Sequence, residues 1–112
     1  MLFLGVKNHP ETKAITSNYN VSLITLDDLS FSKEKSKLVL ISQSTLSYLD
    51  YHEVYKKLTS LGHNITKAET ICNATYARQK AVIDAKDADL VIVVGDTLSN
   101  NTKMLAIVAK KY

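Results

Sequence analysis

The feature that most constrains this chain is the alternation of unbroken apolar runs with segments of helical periodicity. Residues 88–95, Ala-Asp-Leu-Val-Ile-Val-Val-Gly, form the strongest run, and residues 2–6 and 37–42 repeat the type. A strand apolar at every position must be covered on both faces, as in parallel sheets packed under helices. A further strand is expected over residues 21–25 and a weaker one over 64–68. Between them Pro10 suits a helix's first position and Glu11 its positively polarised first turn, which predicts a short helix through Ile15. Ser47 is a plausible N-cap for a second helix, on which Tyr51, Val54, Tyr55, Leu58 and Leu61 recur at helical spacing as a core face before Gly62 stops it. A third pattern, after Cys72, puts Ala77, Ala81, Val82 and Ala85 on one face. A closing helix over about 101–111 turns Leu105 and Val108 inward and ends on Lys110-Lys111. The polar stretch 30–37 should be exposed. The whole predicts an α/β fold, a mostly parallel right-handed sheet with helices on its faces.

The composition narrows the class. With 112 residues and 46% hydrophobic side chains the chain can bury a real core. Its single cysteine cannot form an internal disulfide, which suits a reducing, cytoplasmic setting. No apolar run approaches the ~20 residues that cross a bilayer, so no membrane partner is expected. Met1 to Val6 lacks the basic flank of a signal peptide and reads as a core strand. A chain that opens inside such a strand suggests a piece of something longer. Residues 1–56 carry six basic and six acidic side chains, and residues 57–112 carry eight and five. So small an excess, with no basic cluster among aromatics, argues against nucleic acid and for a small anion.

The chemistry-bearing residues fall in loops that follow strands and precede helices. They are His9 with Glu11, Gln43 to Thr45, Cys72 to Thr75, and Ser99 to Asn101. In open α/β sheets this carboxyl edge is where ligands bind. Hydroxyls and amides at helix N-termini can hold an anion without lysine or arginine. Cys72, between a strand and a helix, sits where backbone N–H groups favour thiolate, the form that binds metals or attacks electrophiles. His52 and His63 read as solvated, and neither belongs to an HxH, HExxH or CxxC spacing. Taken alone, these residues define an anionic small-molecule site containing a thiol, a histidine and a carboxylate.

Their order and spacing carry a resemblance. His9-Pro10-Glu11, Ser42-Gln43-Ser44-Thr45-Leu46-Ser47, Thr70-Ile71-Cys72-Asn73-Ala74-Thr75 with Arg78-Gln79, and Leu90 to Gly95 before Ser99-Asn100-Asn101 are similar to one family across nearly the whole chain. It is the 4-hydroxy-3-methylbut-2-enyl diphosphate reductases, LytB-type iron–sulfur enzymes of the non-mevalonate isoprenoid pathway. The resemblance implies one lobe, residues 1–68, and part of another, residues 69–112, of a three-lobed α/β reductase around a [4Fe-4S] cluster. It implies Cys72 as a cluster ligand, and Glu11 with Thr45 as the proton-delivering pair. It also implies His9, Ser44, Ser99, Asn100 and Asn101 as donors to the diphosphate. A ferredoxin or flavodoxin would supply electrons.

The chain departs from the family pattern at several points. Ser44 stands where threonine is usual, and Asn100 replaces a serine. Asp96 and Leu98 replace polar or neutral residues, and Asp96 would repel diphosphate if it pointed inward. The resemblance implies a chain that by itself is inactive, holds no stable cluster, and self-associates through an exposed sheet edge. Two other readings of the residues stay open. One is a non-catalytic α/β module that binds phosphate or a partner; the other is a cysteine enzyme using Cys72 and His9 as a dyad, for which no third orienting group is evident.

Overall fold

Four short strands form one wholly parallel sheet in a computed structural model that describes residues 1–32 and 37–112. They are β1 (Leu2–Leu4), β2 (Ser22–Ile24), β3 (Leu38–Ser42) and β4 (Ile65–Lys67), in spatial order β2-β1-β3-β4. Leu2 pairs with Ser22 on one side and Leu40 on the other, and Leu38 pairs with Ile65. The helices are α1 (Pro10–Asn18), α2 (Tyr48–Ser60), α3 (Asn73–Asp84) and α4 (Asn100–Lys111). The α/β reading of the sequence therefore holds. The part of the polar stretch 30–37 that covers residues 33–36 lies outside the described residues.

The chain divides into two compact units. The first comprises Met1–Gln43 and Leu49–Thr70; the second comprises Ser44–Tyr48 and Ile71–Tyr112. The first unit holds the sheet. β1 is buried at all its positions, as an inner strand requires, and Leu4 and Leu40 are fully buried beside Phe3, Ile24 and Leu58. α1 runs one turn past Ile15, closed by Tyr19 N–H donating to the Ile15 carbonyl. Its entry needs Asn8 at φ 64°, a left-handed turn that asparagine tolerates better than most residues. α2 stops where expected. Gly62 at φ 88° donates to the Thr59 carbonyl and His63 to the Leu58 carbonyl, a C-terminal pair that uses glycine's access to positive φ.

Of the expected α2 face, Tyr51, Val54 and Leu58 are buried and Tyr55 is half-buried. Leu61 is instead 64% exposed, because the chain has already left the helix there. His52 and His63 are both half-buried rather than solvated, and His63 packs its ring 4.9 Å from that of Phe31.

Tyr51 ties α2 to the sheet through its phenol. Its Oη–H is shared between the carbonyls of Leu40 at 2.7 Å and Ala68 at 2.6 Å. Burial, and then the nearby charge of Glu69, push its pKa up to about 12. The folded state thus favours the neutral phenol. Its contribution is complete below the ordinary value of about 10 and is lost as pH rises through about 12. Tyr51→Phe should cost about 1–2 kcal/mol at pH 8. It should also flatten the decline in stability between pH 9 and 12, and unfolding at both extremes would show a slope that survives the substitution if Tyr51 is not its source.

The second unit departs most from expectation. Residues 90–95 are not a strand: they join no ladder, and among the described residues no backbone–backbone hydrogen bond is made by residues 90–94. Leu90, Ile92 and Val94 are 74%, 75% and 92% exposed. The physical reason is pairing. An apolar run becomes a strand only when another strand satisfies its N–H and C=O groups, and the second unit holds no strand. α3 turns Thr75 and Gln79 inward, whereas Ala77, Ala81 and Ala85 are exposed and Val82 is half-buried. On α4 the buried pair is Met104 and Val108; Leu105 is half-buried.

Candidate functional site

In the first unit the site residues gather at the carboxyl ends of β1 and β3. These strands are neighbours, yet the chain leaves β1 toward β2 on one side and places β3 on the other. That reversal is the switch point at which open α/β sheets bind ligands. Gln43 is fully buried there. Its backbone N–H donates to the Leu4 carbonyl, and its Oε1 accepts from the Val6 N–H at 3.0 Å and the Thr12 hydroxyl at 3.4 Å. It therefore holds both ends of the loop that carries His9 and Glu11.

His9 is the N-cap of α1, its Nδ1 accepting from the Glu11 N–H at 3.2 Å. Only an unprotonated Nδ1 can accept, so on the neutral ring the proton sits on Nε2, the nitrogen that can donate to a ligand. Glu11 lies in the first turn of α1, next to the positive end of the helix.

In the second unit a single loop, Ser44–Tyr48, links the remaining candidates. The Ser44 carbonyl accepts from the Cys72 backbone N–H at 3.0 Å. Thr45 Oγ1 accepts from Asn100 Nδ2 at 2.6 Å. Two consecutive residues of one loop are thus each tied to a helix N-terminus, that of α3 and that of α4. Cys72 is the N-cap residue of α3, and its side chain is exposed without a capping hydrogen bond. The backbone N–H groups of Thr75, and next of Ala74, hold its thiol below the ordinary cysteine range, aided by the Thr75 hydroxyl and Arg78. Thiolate character read from the strand-to-helix position in the sequence is what the helix end produces.

Ser99 caps α4, its Oγ accepting from the Thr102 N–H at 3.4 Å. Asn101 Oδ1 is buried with no hydrogen-bond partner among the described residues. Gly95 precedes this turn because a β-carbon there would collide with the Thr102 side chain. Asp96 is turned to local use: its carboxylate accepts from the Leu98 N–H at 2.8 Å and its carbonyl from the Ser99 N–H. It shapes the turn that leads into Ser99. Among the described residues no group of three or more His, Cys, Asp or Glu could hold a metal ion, and no helix is long and apolar enough to cross a membrane.

Two residues quoted among the motifs, Thr70 and Gln79, have no role assigned from sequence. Thr70 Oγ1 accepts from the Ser42 N–H at 2.7 Å and lies 2.9 Å from the Ser42 hydroxyl, at the carboxyl end of β3. Gln79 is fully buried and bonded at both ends of its carboxamide. Neither has a local signal, because their partners lie 28 and more than 30 residues away along the chain.

The fold and its chemistry define a class: a parallel α/β protein whose polar groups collect at strand carboxyl ends and at the N-termini of the helices that follow. Within that class the chain belongs to the LytB family, whose profile, described as "LytB protein", matches residues 1–112. It is 34% identical over 116 residues to the 4-hydroxy-3-methylbut-2-enyl diphosphate reductase of Helicobacter pylori (strain Shi470), a match that takes in 100% of this chain and 42% of that protein. It is 38% identical to the protein of that name from Fusobacterium nucleatum, over 99% of this chain and 14% of the relative. Among solved structures, the E-1-hydroxy-2-methyl-but-2-enyl-4-diphosphate reductase of Plasmodium falciparum superposes with a TM-score of 0.82 at 31% identity, covering 98% of this chain and 37% of the other. The chain thus spans well under half the length of these relatives.

Proposed function

We propose that this chain supplies part of the active site of an oxidoreductase that dehydroxylates 4-hydroxy-3-methylbut-2-enyl diphosphate to isopentenyl and dimethylallyl diphosphate, in isoprenoid biosynthesis, and that it does not turn over by itself. The observation that carries this reading is the Ser44–Tyr48 loop, which links an acidified thiol at the start of α3 to the amide-rich start of α4. An exposed, thiolate-prone Cys72 fits one ligand position of an iron–sulfur cluster, with the other ligands coming from outside the described residues. When bound, the cluster supplies electrons, delivered in turn by a carrier such as ferredoxin or flavodoxin.

The chain's own residues do the rest. Ser99, Asn100 and Asn101 at the start of α4, with Ser44, offer short donors to a diphosphate. In the first unit His9 separately offers Nε2–H, the diphosphate-donor role that the family resemblance implies for it. The Thr45 hydroxyl accepts from Asn100, which directs its own proton elsewhere. By the family resemblance Glu11, in the first unit, has the role of an acid. Because the Asp96 carboxylate is engaged by the Leu98 N–H, its charge weakens anion binding without blocking it.

Titrating the labelled chain with diphosphate tests the anion site. Amide shifts at Ser44, Thr45 and Ser99 to Asn101 should saturate in the millimolar range, and Asp96→Asn should tighten binding severalfold. Silence at those amides at 10 mM ligand would remove the assignment.

The exposed run 90–94 supports one partner, a second copy of this chain. Pairing antiparallel about Ile92 sets Leu90 against Val94 and Ile92 against itself, and closes on a two-fold axis. A parallel register would stack Asp89 on Asp89, so charge selects the antiparallel one. Light scattering should find a concentration-dependent dimer that Ile92→Lys abolishes; a wild-type monomer at several hundred micromolar would rule this pairing out.

A further inference from the structure

We propose that Gln79 is a positioning residue that holds the Ser44–Tyr48 loop in register against α3, standing in for a missing β-strand partner. Its Oε1 accepts from the Tyr48 N–H at 3.0 Å and its Nε2 donates to the Leu46 carbonyl at 3.0 Å. Bonding the carbonyl of one residue and the N–H of the residue two further on is what a neighbouring strand does to a residue in a parallel ladder. Here the carboxamide of one side chain does it around Ser47, which is 1% exposed.

The loop needs such a partner. Tyr48 opens α2, so its N–H has no acceptor within the helix. Leu46 is 1% exposed, which keeps water from its carbonyl. Gln79 is itself fully exposed to neither water nor ligand, at 0% accessibility, and an amide so placed is stable only with both ends bonded. Upstream of the clamp the same loop presents Ser44 and Thr45, tied to Cys72 and Asn100. Gln79 thereby acts on the candidate site through the loop, by its bonds to Leu46 and Tyr48. Its link to diphosphate rests on the function proposed above; the clamp does not.

The test begins with the unsubstituted chain. One Gln79 side-chain N–H proton should exchange with solvent at least tenfold more slowly than those of exposed Asn20, and exchange at the same rate would overturn the proposal. Gln79→Met fills the same space without hydrogen bonds. It should speed exchange of the Tyr48 amide about tenfold relative to the α3 amide of Ala81, and move the Asn100 side-chain resonances. Gln79→Glu keeps the acceptor but can donate to Leu46 only when protonated, so its Asn100 resonances should return toward wild type as pH falls. A Met variant that is less stable but leaves Tyr48 exchange and the Asn100 resonances unchanged would mean that Gln79 only fills space. Diphosphate titration of the same variants separates the two ideas. If the wild type does not bind diphosphate while the exchange results hold, the clamp stands and the proposed function fails.

Discussion

Replacing Leu40 by alanine is expected to lower the unfolding free energy by about 2–5 kcal/mol, a large effect for a single substitution in this sheet. Leu40 is fully buried in β3, an inner strand flanked by β1 and β4, so the lost side chain leaves a cavity that rigid neighbours cannot close. Its backbone is also committed: it pairs with Leu2 and Lys67, and its carbonyl accepts from the Ala68 N–H and from Tyr51. The thermal midpoint should fall by roughly ten degrees or more. Val39, the next residue on the same strand, is 36% exposed, and Val39→Ala should cost less than about 1 kcal/mol. Equal losses at the two positions, measured by chemical denaturation, would show that β3 does not face the core as described.

The largest effect on activity is expected from Cys72→Ser, read in a full-length setting. If residues 1–112 replace the matching segment of the Helicobacter pylori reductase, the chimera should retain bound iron and reduce substrate. Cys72→Ser in that chimera should lower turnover by more than about 100-fold and release iron on desalting, since a serine hydroxyl at an open helix end is a far poorer ligand than thiolate. The 112-residue chain alone, reconstituted anaerobically with iron and sulfide, should not hold a cluster's iron. A Cys72→Ser chimera that keeps both its iron and its turnover would remove Cys72 from the proposed ligand set.

What could be read from residues alone follows from local chemistry. The apolar run at 2–6 became an inner strand, with Leu2 to Leu4 all buried, because a segment apolar on both faces is satisfied inside a parallel sheet. The run at 37–42 also became an inner strand, but it buries only alternate residues fully. Gly62 ended α2, and Pro10 took the first turn of α1, because helix ends depend on the few residues beside them. The acidity of Cys72 was legible for the same reason: the dipoles responsible belong to Ala74 and Thr75.

Whatever depends on distant partners was not legible. Residues 90–95 have the most strand-like composition in the chain, yet a strand is a pairing, and the second unit offers nothing to pair with. Asp96 reads as a threat to anion binding until the Leu98 N–H is seen to occupy its carboxylate. The periodicity after Cys72 points to an alanine face, whereas the structure buries Thr75 and Gln79, because what lies opposite α3 is a loop whose backbone needs hydrogen bonds more than apolar contact. Sequence by itself determined the helices α1 to α4, the strands β1 to β4 of the sheet and the acidic thiol, most of them set by neighbours a few residues apart. Only tertiary structure decided which groups meet: Thr45 with Asn100 and Gln79 with the Ser44–Tyr48 loop are joined across 55 and more than 30 residues, distances over which no local pattern carries information.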